Sequence, residues 1–193
     1  MDMITQIKNE FNQLGIKPKK SLGQNFLINE RIYRKIIAAL ELKTNDIVAE
    51  VGPGLGTLTE LLATNGTNVI AVEKDHLLAD YLKNKFANKK RVKIVEDDIL
   101  KFNPRNYQLS AISYKLVGNI PYYLTSRLLR IVFENWPRPE LLVLMLQKEV
   151  AQRVIAKPPK MSLLSVSVQY FAQPKIISYV SSGSFYPPPK VDS

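Results

Sequence analysis

From residue 47 onward the sequence alternates between two hydrophobic patterns, and this alternation restricts its possible folds more than any other feature. Short apolar runs at 47–51, 69–72, 92–95, 115–117 and 141–146 read as buried strands. Between them, 58–64, 77–86 and 126–135 carry apolar residues at helical spacing. Strand, helix and strand repeated in this way require right-handed crossovers, because a right-twisted strand feeding a helix packs back onto its sheet in that sense. The expected architecture is α/β, a doubly wound and mostly parallel sheet covered on both faces. Ahead of it, Ile4, Ile7, Phe11 and Leu14 form one face of a lead-in helix ending at Gly15, and 17–27 is a basic loop punctuated by proline and glycine. Asn29 is placed to cap a helix whose apolar face is Ile32, Ile36, Ile37 and Leu40.

Beyond the fifth strand, 149–156 reads as a helix broken by Lys157-Pro158-Pro159-Lys160. The stretch 163–171 alternates at Val166 and Val168 but also suits a helix through Leu164, Val168 and Phe171, and helix is the reading adopted. A strand is expected at 176–180, followed by an irregular loop through Phe185 and the prolines at 187–189.

Composition narrows the function classes. A chain of 193 residues, 46% of them apolar, fits one domain with a sizeable core. Its 27 basic residues against 17 acidic ones, formally +10, favour a polyanionic partner, since each cation meeting a phosphate releases condensed counterions. The absence of cysteine excludes disulfides and thiolate metal sites, and the lone His76, read as a solvated residue in a first helical turn, cannot form a cluster, so no metal is expected. The strongly apolar run at 141–146 is too short to span a bilayer, and the N-terminus lacks the apolar core of a signal peptide. The expectation is a cytoplasmic protein without membrane contact, acting as a monomer.

In an open α/β sheet, ligands bind beyond the carboxyl ends of the strands where strand order reverses. Gly52, Gly54 and Gly56 fall there if 47–51 is the first strand of the sheet. Glycines allow a sharp turn and close approach to a ligand, and the helix starting near Thr57 presents free amides and a positive dipole end. Alone, such a turn has purely steric explanations. Glu73, ending the next strand, adds a carboxylate that can accept both hydroxyls of a ribose. Asp98 is placed to accept from an adenine amino group, with Ile99 against the ring, although Asp97 and Asp98 equally suit a solvated capping pair. A nicotinamide dinucleotide would meet the same features, but the spacing is G-x-G-x-G where that fingerprint wants G-x-G-x-x-G. S-adenosylmethionine is the better fit.

Asn119-Ile120-Pro121-Tyr122 follows the fourth strand. An exocyclic amine on adenine is a poor nucleophile because its lone pair is delocalised into the ring. The Asn119 side-chain oxygen and a backbone carbonyl near Ile120 can hold its hydrogens and free that lone pair, while Pro121 fixes the local chain. Positive charge growing on the nitrogen is stabilised by these dipoles. Tyr122 offers a face for the base, worth on the order of 1–3 kcal/mol. An isolated N-x-P-Y reads as a strand-end turn with a buried tyrosine; behind a glycine turn and an acidic strand end it points to methyl transfer onto a base nitrogen.

The segments KSLGQNFL, EVGPGLGTLTE, AVEKD, EDDIL, GNIPYYLTS, LMLQKEVAQR, LSVSVQY and FYPPPKVDS, in this order, resemble the ribosomal RNA adenine N6-dimethyltransferases over nearly all of the chain from Lys17. LSVSVQY and FYPPPKVDS are more similar to the KsgA type, which modifies small-subunit RNA, than to the macrolide-resistance type, which modifies large-subunit RNA. The resemblance implies a Rossmann-like class I methyltransferase fold in which 1–28 is a helix and cofactor-closing loop and 29–193 the catalytic domain. Gln24, Asn25 and Leu27 would close over the methionine end of the cofactor. Gly52, Glu73, Asp98 and Asn119 would contact it, Lys74 would join this group, and Ile99 would line the adenine site. Tyr122 and Phe185 would sandwich the target adenine. The implied reaction is dimethylation of two adjacent adenosines near the 3′ end of 16S RNA, in a 30S assembly intermediate, with Arg127, Arg130, Arg153, Lys157, Lys160 and Lys190 as candidate backbone contacts.

Two departures stand out. Family members continue past the proline motif into a last sheet strand and a small helical domain, whereas this sequence ends at Ser193. That strand would start at about Val191 and lie between the fifth and sixth, so unpaired strand edges are expected. The loop at 157–161 is also shorter than the family suggests and lacks glycine. The alternatives are a large-subunit methyltransferase and a non-catalytic RNA-binding assembly factor.

Overall fold

The computed structural model describes residues 3–107, 109 and 113–193, and at Tyr122 the backbone alone. Along the chain run α1 (Met3–Leu14), β1 (Phe26–Leu27), α2 (Glu30–Ala39), β2 (Ile47–Val51), α3 (Thr57–Thr64), β3 (Asn68–Glu73) and α4 (His76–Lys85). There follow β4 (Val92–Glu96), β5 (Tyr114–Asn119), α5 (Thr125–Glu134), β6 (Leu141–Met145), α6 (Lys148–Val154), α7 (Leu163–Phe171) and β7 (Phe185–Tyr186). The chain divides into two compact units, one comprising Ile36–Ile120 and Leu124–Met145, the other Met1–Lys35, Pro121–Tyr123 and Leu146–Ser193.

The first unit is the expected parallel sheet, with strand order β4-β3-β2-β5-β6 and every pairing parallel. The chain steps outward from β2 to β4 and then returns to the other side of β2, so order reverses between β2 and β5. Burial explains which apolar runs occupy the middle. β2, β3 and β5 are buried almost without interruption, as strands covered on both faces must be, while the edge strands β4 and β6 are only partly covered. Leu62 of α3, Leu78 and Leu82 of α4, Leu116 of β5 and Leu128 of α5 are fully enclosed. Each contributes about 1.5–3 kcal/mol of hydrophobic stabilisation.

Two local features fix the register around β5. Gly118 pairs with Val51, and a Cβ there would lie 2.8 Å from the Val51 carbonyl oxygen, so only glycine lets the strands come this close. Near the start of β5, Lys115 is 3% exposed and donates to the Glu41 carbonyl at 2.7 Å and to Asp46 at 2.8 Å. Burial pushes the Asp46 carboxyl up, but the hydrogen bonds from Lys115 and the Lys43 amide outweigh it and hold it below its ordinary value.

In the second unit, α1 buries Ile7 and Phe11, with Phe11 edge-on to Phe26 at 4.9 Å. β1 and β7 form a two-residue antiparallel ribbon in which Phe26 faces Tyr186 and Leu27 faces Phe185. Asn29 caps α2 as expected, its side-chain oxygen accepting from the Arg31 amide at 3.1 Å. α7 occupies the expected helical span and opens with a capping box between Ser162 and Ser165. Gln169 of α7 donates to the Val154 and Ala156 carbonyls at the end of α6.

The strand expected at 176–180 does not form. A strand exists only by pairing, and among the described residues no amide from 173 to 179 donates to a backbone carbonyl. Val180 alone is paired, exchanging two hydrogen bonds with Ser193 at 2.7 and 2.9 Å. No helix among the described residues is long and apolar enough to cross a membrane, and none of their acidic or histidine side chains gather into a metal-holding group.

Candidate cofactor and target site

The glycine turn follows β2 at the reversal of strand order. Gly52, Gly54 and Gly56 all take left-handed backbone with φ of 64°, 60° and 81°, which glycine adopts without steric penalty. They are not equivalent in space. A Cβ on Gly52 would meet nothing within 4 Å, leaving an open cradle, whereas one on Gly56 would strike Leu82 of α4 and Phe86 just after that helix, each at 2.7 Å. Gly52 thus borders open space, and Gly56 lets the turn pack on α4. Lys85 of α4 pins the turn from its own side, donating to the Leu55 carbonyl at 2.9 Å.

Glu73 ends β3 beside this turn. Its carboxylate accepts from the Gly54 amide at 3.1 Å and from the Asp75 amide at 2.9 Å, and it is 6% exposed. Burial makes it a weaker acid, pushing its carboxyl above its ordinary value despite these amides. The Lys74 amide is a further backbone donor to the same group, so the carboxylate that holds the turn keeps part of its acceptor capacity for a ribose hydroxyl. Asp75 continues the chain as N-cap of α4, accepting from the Leu77 amide.

Asp98 stands after β4, with one oxygen accepting from Lys74 at 2.8 Å and the other from the Leu100 amide at 3.0 Å. Burial pushes its carboxyl up, but Lys74 and that amide bring it below its ordinary value. Ile99 beside it is buried. Asn119 closes β5, and Ile120 is buried with its amide on the Met145 carbonyl at 3.2 Å. Since Val51 pairs with Gly118, Gly52 and Asn119 leave neighbouring strands at the same level.

The remaining expected residues belong to the other unit. The Gln24 side-chain oxygen accepts from the Lys19 amide at 2.7 Å, and Asn25 donates to the Gly23 carbonyl at 3.1 Å. A Cβ on Gly23 would lie 3.1 Å from that of Pro121, so the 20–24 loop and the start of the Pro121 segment approach closely. Leu27, expected at the cofactor, and Phe185, expected at the target base, are opposed in the ribbon, with Phe185 3% exposed. The Tyr122 side chain lies outside the described structure. Arg127, Arg130, Arg153, Lys157, Lys160 and Lys190 are all exposed, and Arg130 pairs with Glu134.

Sequence reasoning missed Glu50. It sits inside β2, 2% exposed, accepting from the Thr59 hydroxyl at 2.6 Å. Its signal was available: an acid inside an otherwise apolar run, with a threonine in the first turn of the next helix. Lys85 was missed as well, and nothing in its spacing distinguishes it from other helix-surface lysines.

Comparison with known proteins bears on this arrangement. The profile of the family described as Ribosomal RNA adenine dimethylase matches residues 15–193. A ribosomal RNA small subunit methyltransferase A from Dehalococcoides mccartyi strain CBDB1 is 45% identical over 191 residues, covering 99% of this chain and 66% of the relative, so the chain spans slightly less than two thirds of that protein. Among solved structures, a dimethyladenosine transferase from Plasmodium falciparum superposes with a TM-score of 0.76 at 31% identity, covering 86% of this chain and 60% of the other. The 23S rRNA methyltransferase ErmE gives 0.76 at 29% identity, covering 87% and 66%. A glycine turn clamped by a buried strand-end carboxylate, the parallel sheet that carries it and the match through to the last residue agree, and the chain belongs to the ribosomal RNA adenine dimethylase family.

Proposed function

We propose that this chain dimethylates N6 of two adjacent adenosines near the 3′ end of small-subunit ribosomal RNA, with S-adenosylmethionine as methyl donor. The observation that carries the reading is the Glu73 clamp on the Gly54 and Asp75 amides at the reversal of strand order, where Asn119 also leaves the sheet. The open space beside Gly52 and the remaining acceptor capacity of Glu73 fit a cofactor with an unmodified ribose. When bound, that cofactor supplies an electrophilic methyl group. Gly52, Gly54, Gly56, Glu73, Asp98 and Ile99 would hold its nucleoside half, with Lys74 orienting Asp98. Gln24, Asn25 and Leu27 would contact its amino-acid half.

Asn119 and the Ile120 carbonyl accept the hydrogens of the target amine, localising its lone pair, and Pro121 keeps that carbonyl in place. No strong base is needed, because the methylated ammonium loses its proton readily to water. Tyr122 and Phe185 are the aromatic surfaces for a base that has left its stack. Because Phe185 is buried in the ribbon, entry of a base requires that ribbon to give. The excess of basic residues suits an RNA partner. The protein works in the cytoplasm as a monomer on a small-subunit assembly intermediate.

The test is transfer of labelled methyl groups to small subunits lacking the modification, with large-subunit RNA in parallel. Transfer to the small subunit, abolished in Asn119→Ala and Tyr122→Ala, is expected. Full activity in both variants would remove the target site proposed here. Transfer confined to large-subunit RNA would favour the reading suggested by the likeness to the 23S enzyme.

A further inference from the structure

Two buried carboxylates border the glycine turn, and neither has a cationic partner among the described residues. Glu50 lies two residues before Gly52, flanked in the sheet by Ala71 and Val117. Among the described residues its carboxyl's one side-chain hydrogen bond is from the neutral hydroxyl of Thr59. Glu73 holds backbone amides. The charged groups on the elements packed around Glu50 do not neutralise it. Glu73 adds negative charge and is itself next to that of Asp75, Glu60 of α3 is exposed, Lys85 is engaged with the Leu55 carbonyl, and Lys115 with Asp46 and Glu41 at the far end of β5.

We propose that Glu50 is a specificity-determining residue which, with Glu73, makes the pocket prefer the cationic methyl donor to the demethylated product. The proposal rests on the cofactor assigned above. Donor and product share their adenosine and amino-acid halves. They differ in one methyl group and in the positive charge of the sulfonium, and an uncompensated carboxyl under the turn responds to that charge.

Burial pushes the Glu50 acid up to about 8; the Thr59 hydrogen bond opposes this and the nearby Glu73 charge adds to it. Below that pH, Glu50 is protonated in the free protein. A cation entering the pocket favours its ionised form, so donor binding releases a proton. A neutral thioether provides no such drive, and the product is held less tightly by the same group. The sign follows from linkage: donor affinity rises as pH increases toward about 8, while product affinity changes less.

The experiment is calorimetric titration of the whole chain with S-adenosylmethionine and with S-adenosylhomocysteine, in buffers of different ionisation enthalpy, from about pH 6.5 to about pH 9. The wild-type protein should release more protons with the donor, and its donor-to-product affinity ratio should rise roughly three- to tenfold across the window. Each ligand's own amino group titrates in this range, so the readout is the difference between the wild-type protein and Glu50→Gln, which should flatten both quantities. Thr59→Val, which keeps the carboxyl but removes its stabilising hydroxyl, should move the midpoint to higher pH, and it decides the matter if the glutamine variant does not fold. Equal proton release for both ligands, a ratio unchanged in Glu50→Gln, or an unmoved midpoint in Thr59→Val would overturn the proposal while leaving the cofactor reading intact. Failure of the wild-type protein to bind either ligand would overturn both.

Discussion

The two units satisfy their backbones in different ways. In the sheet unit each interior strand is bonded on both sides, and the turns at its carboxyl ends inherit a fixed geometry from β2, β3 and β5. In the other unit the β1–β7 ribbon is two residues long, and among the described residues the backbone of the run from 173 to 180 is paired only by the reciprocal bonds of Val180 and Ser193. A continuous ladder makes neighbouring residues move together, whereas a single pair leaves them nearly independent. The residues proposed to hold the nucleoside half of the cofactor stand on the first kind of support. Those assigned to loop closure and base stacking stand on the second.

The contrast can be broken most decisively at Glu73. Glu73→Ala removes the acceptor for two turn amides, and affinity for S-adenosylmethionine should fall by about a hundredfold or more by calorimetry. Binding retained within about tenfold would mean that the clamp does not shape the site. Next is Gly118→Ala, which forces a methyl group against the Val51 carbonyl oxygen and should destabilise the protein by about 2–4 kcal/mol in denaturant unfolding. A change below about 0.5 kcal/mol would show that β2 and β5 can separate cheaply.

Lys115→Met should cost about 2–3 kcal/mol at neutral pH by removing the ammonium from Asp46, which keeps only the Lys43 amide, and from the Glu41 carbonyl. This contribution also carries a pH signature. The folded Asp46 acid lies below its ordinary 3.8, so its stabilisation is present above that pH and is lost as pH falls through the folded value. The wild-type protein should therefore lose more stability on acidification than the methionine variant, and parallel curves would refute the assignment. The smallest effect is expected in the other unit. Ile177→Ser, at a side chain 49% exposed on the unpaired run, should change stability by less than about 0.5 kcal/mol. Amides from 173 to 179 should also exchange with solvent far faster than those of β5, and comparable protection would erase the contrast between the units.

The same difference explains what could be read from the sequence. Strands β2, β3 and β5 were legible because burial on both faces leaves an apolar run that needs no knowledge of neighbours, and the partly covered edge strands β4 and β6 keep enough apolar residues to read the same way. The run at 176–180 has equally suitable residues in Ile176, Ile177, Tyr179 and Val180, yet pairing belongs to two segments at once and composition reports only one. Glu73 was recognisable by its place at a strand end, but its hold on Gly54 and Asp75 depends on the path of the turn. Gly118 is a glycine in a strand until the register sets Val51 beside it. Glu50 was hidden by its own strand, since an apolar reading of 47–51 passes over the acid within it.

The Glu73 clamp has one more consequence. By taking an amide from the turn after β2 and another from the turn after β3, a single carboxylate ties two successive loops that would otherwise fluctuate separately. Their conformational freedom is surrendered when the chain folds, so a ligand arriving there meets loops already ordered, and that entropic cost falls on folding rather than binding. Tightness of binding and resistance to unfolding are thereby drawn from a common reserve, and a change that loosens the clamp depletes both.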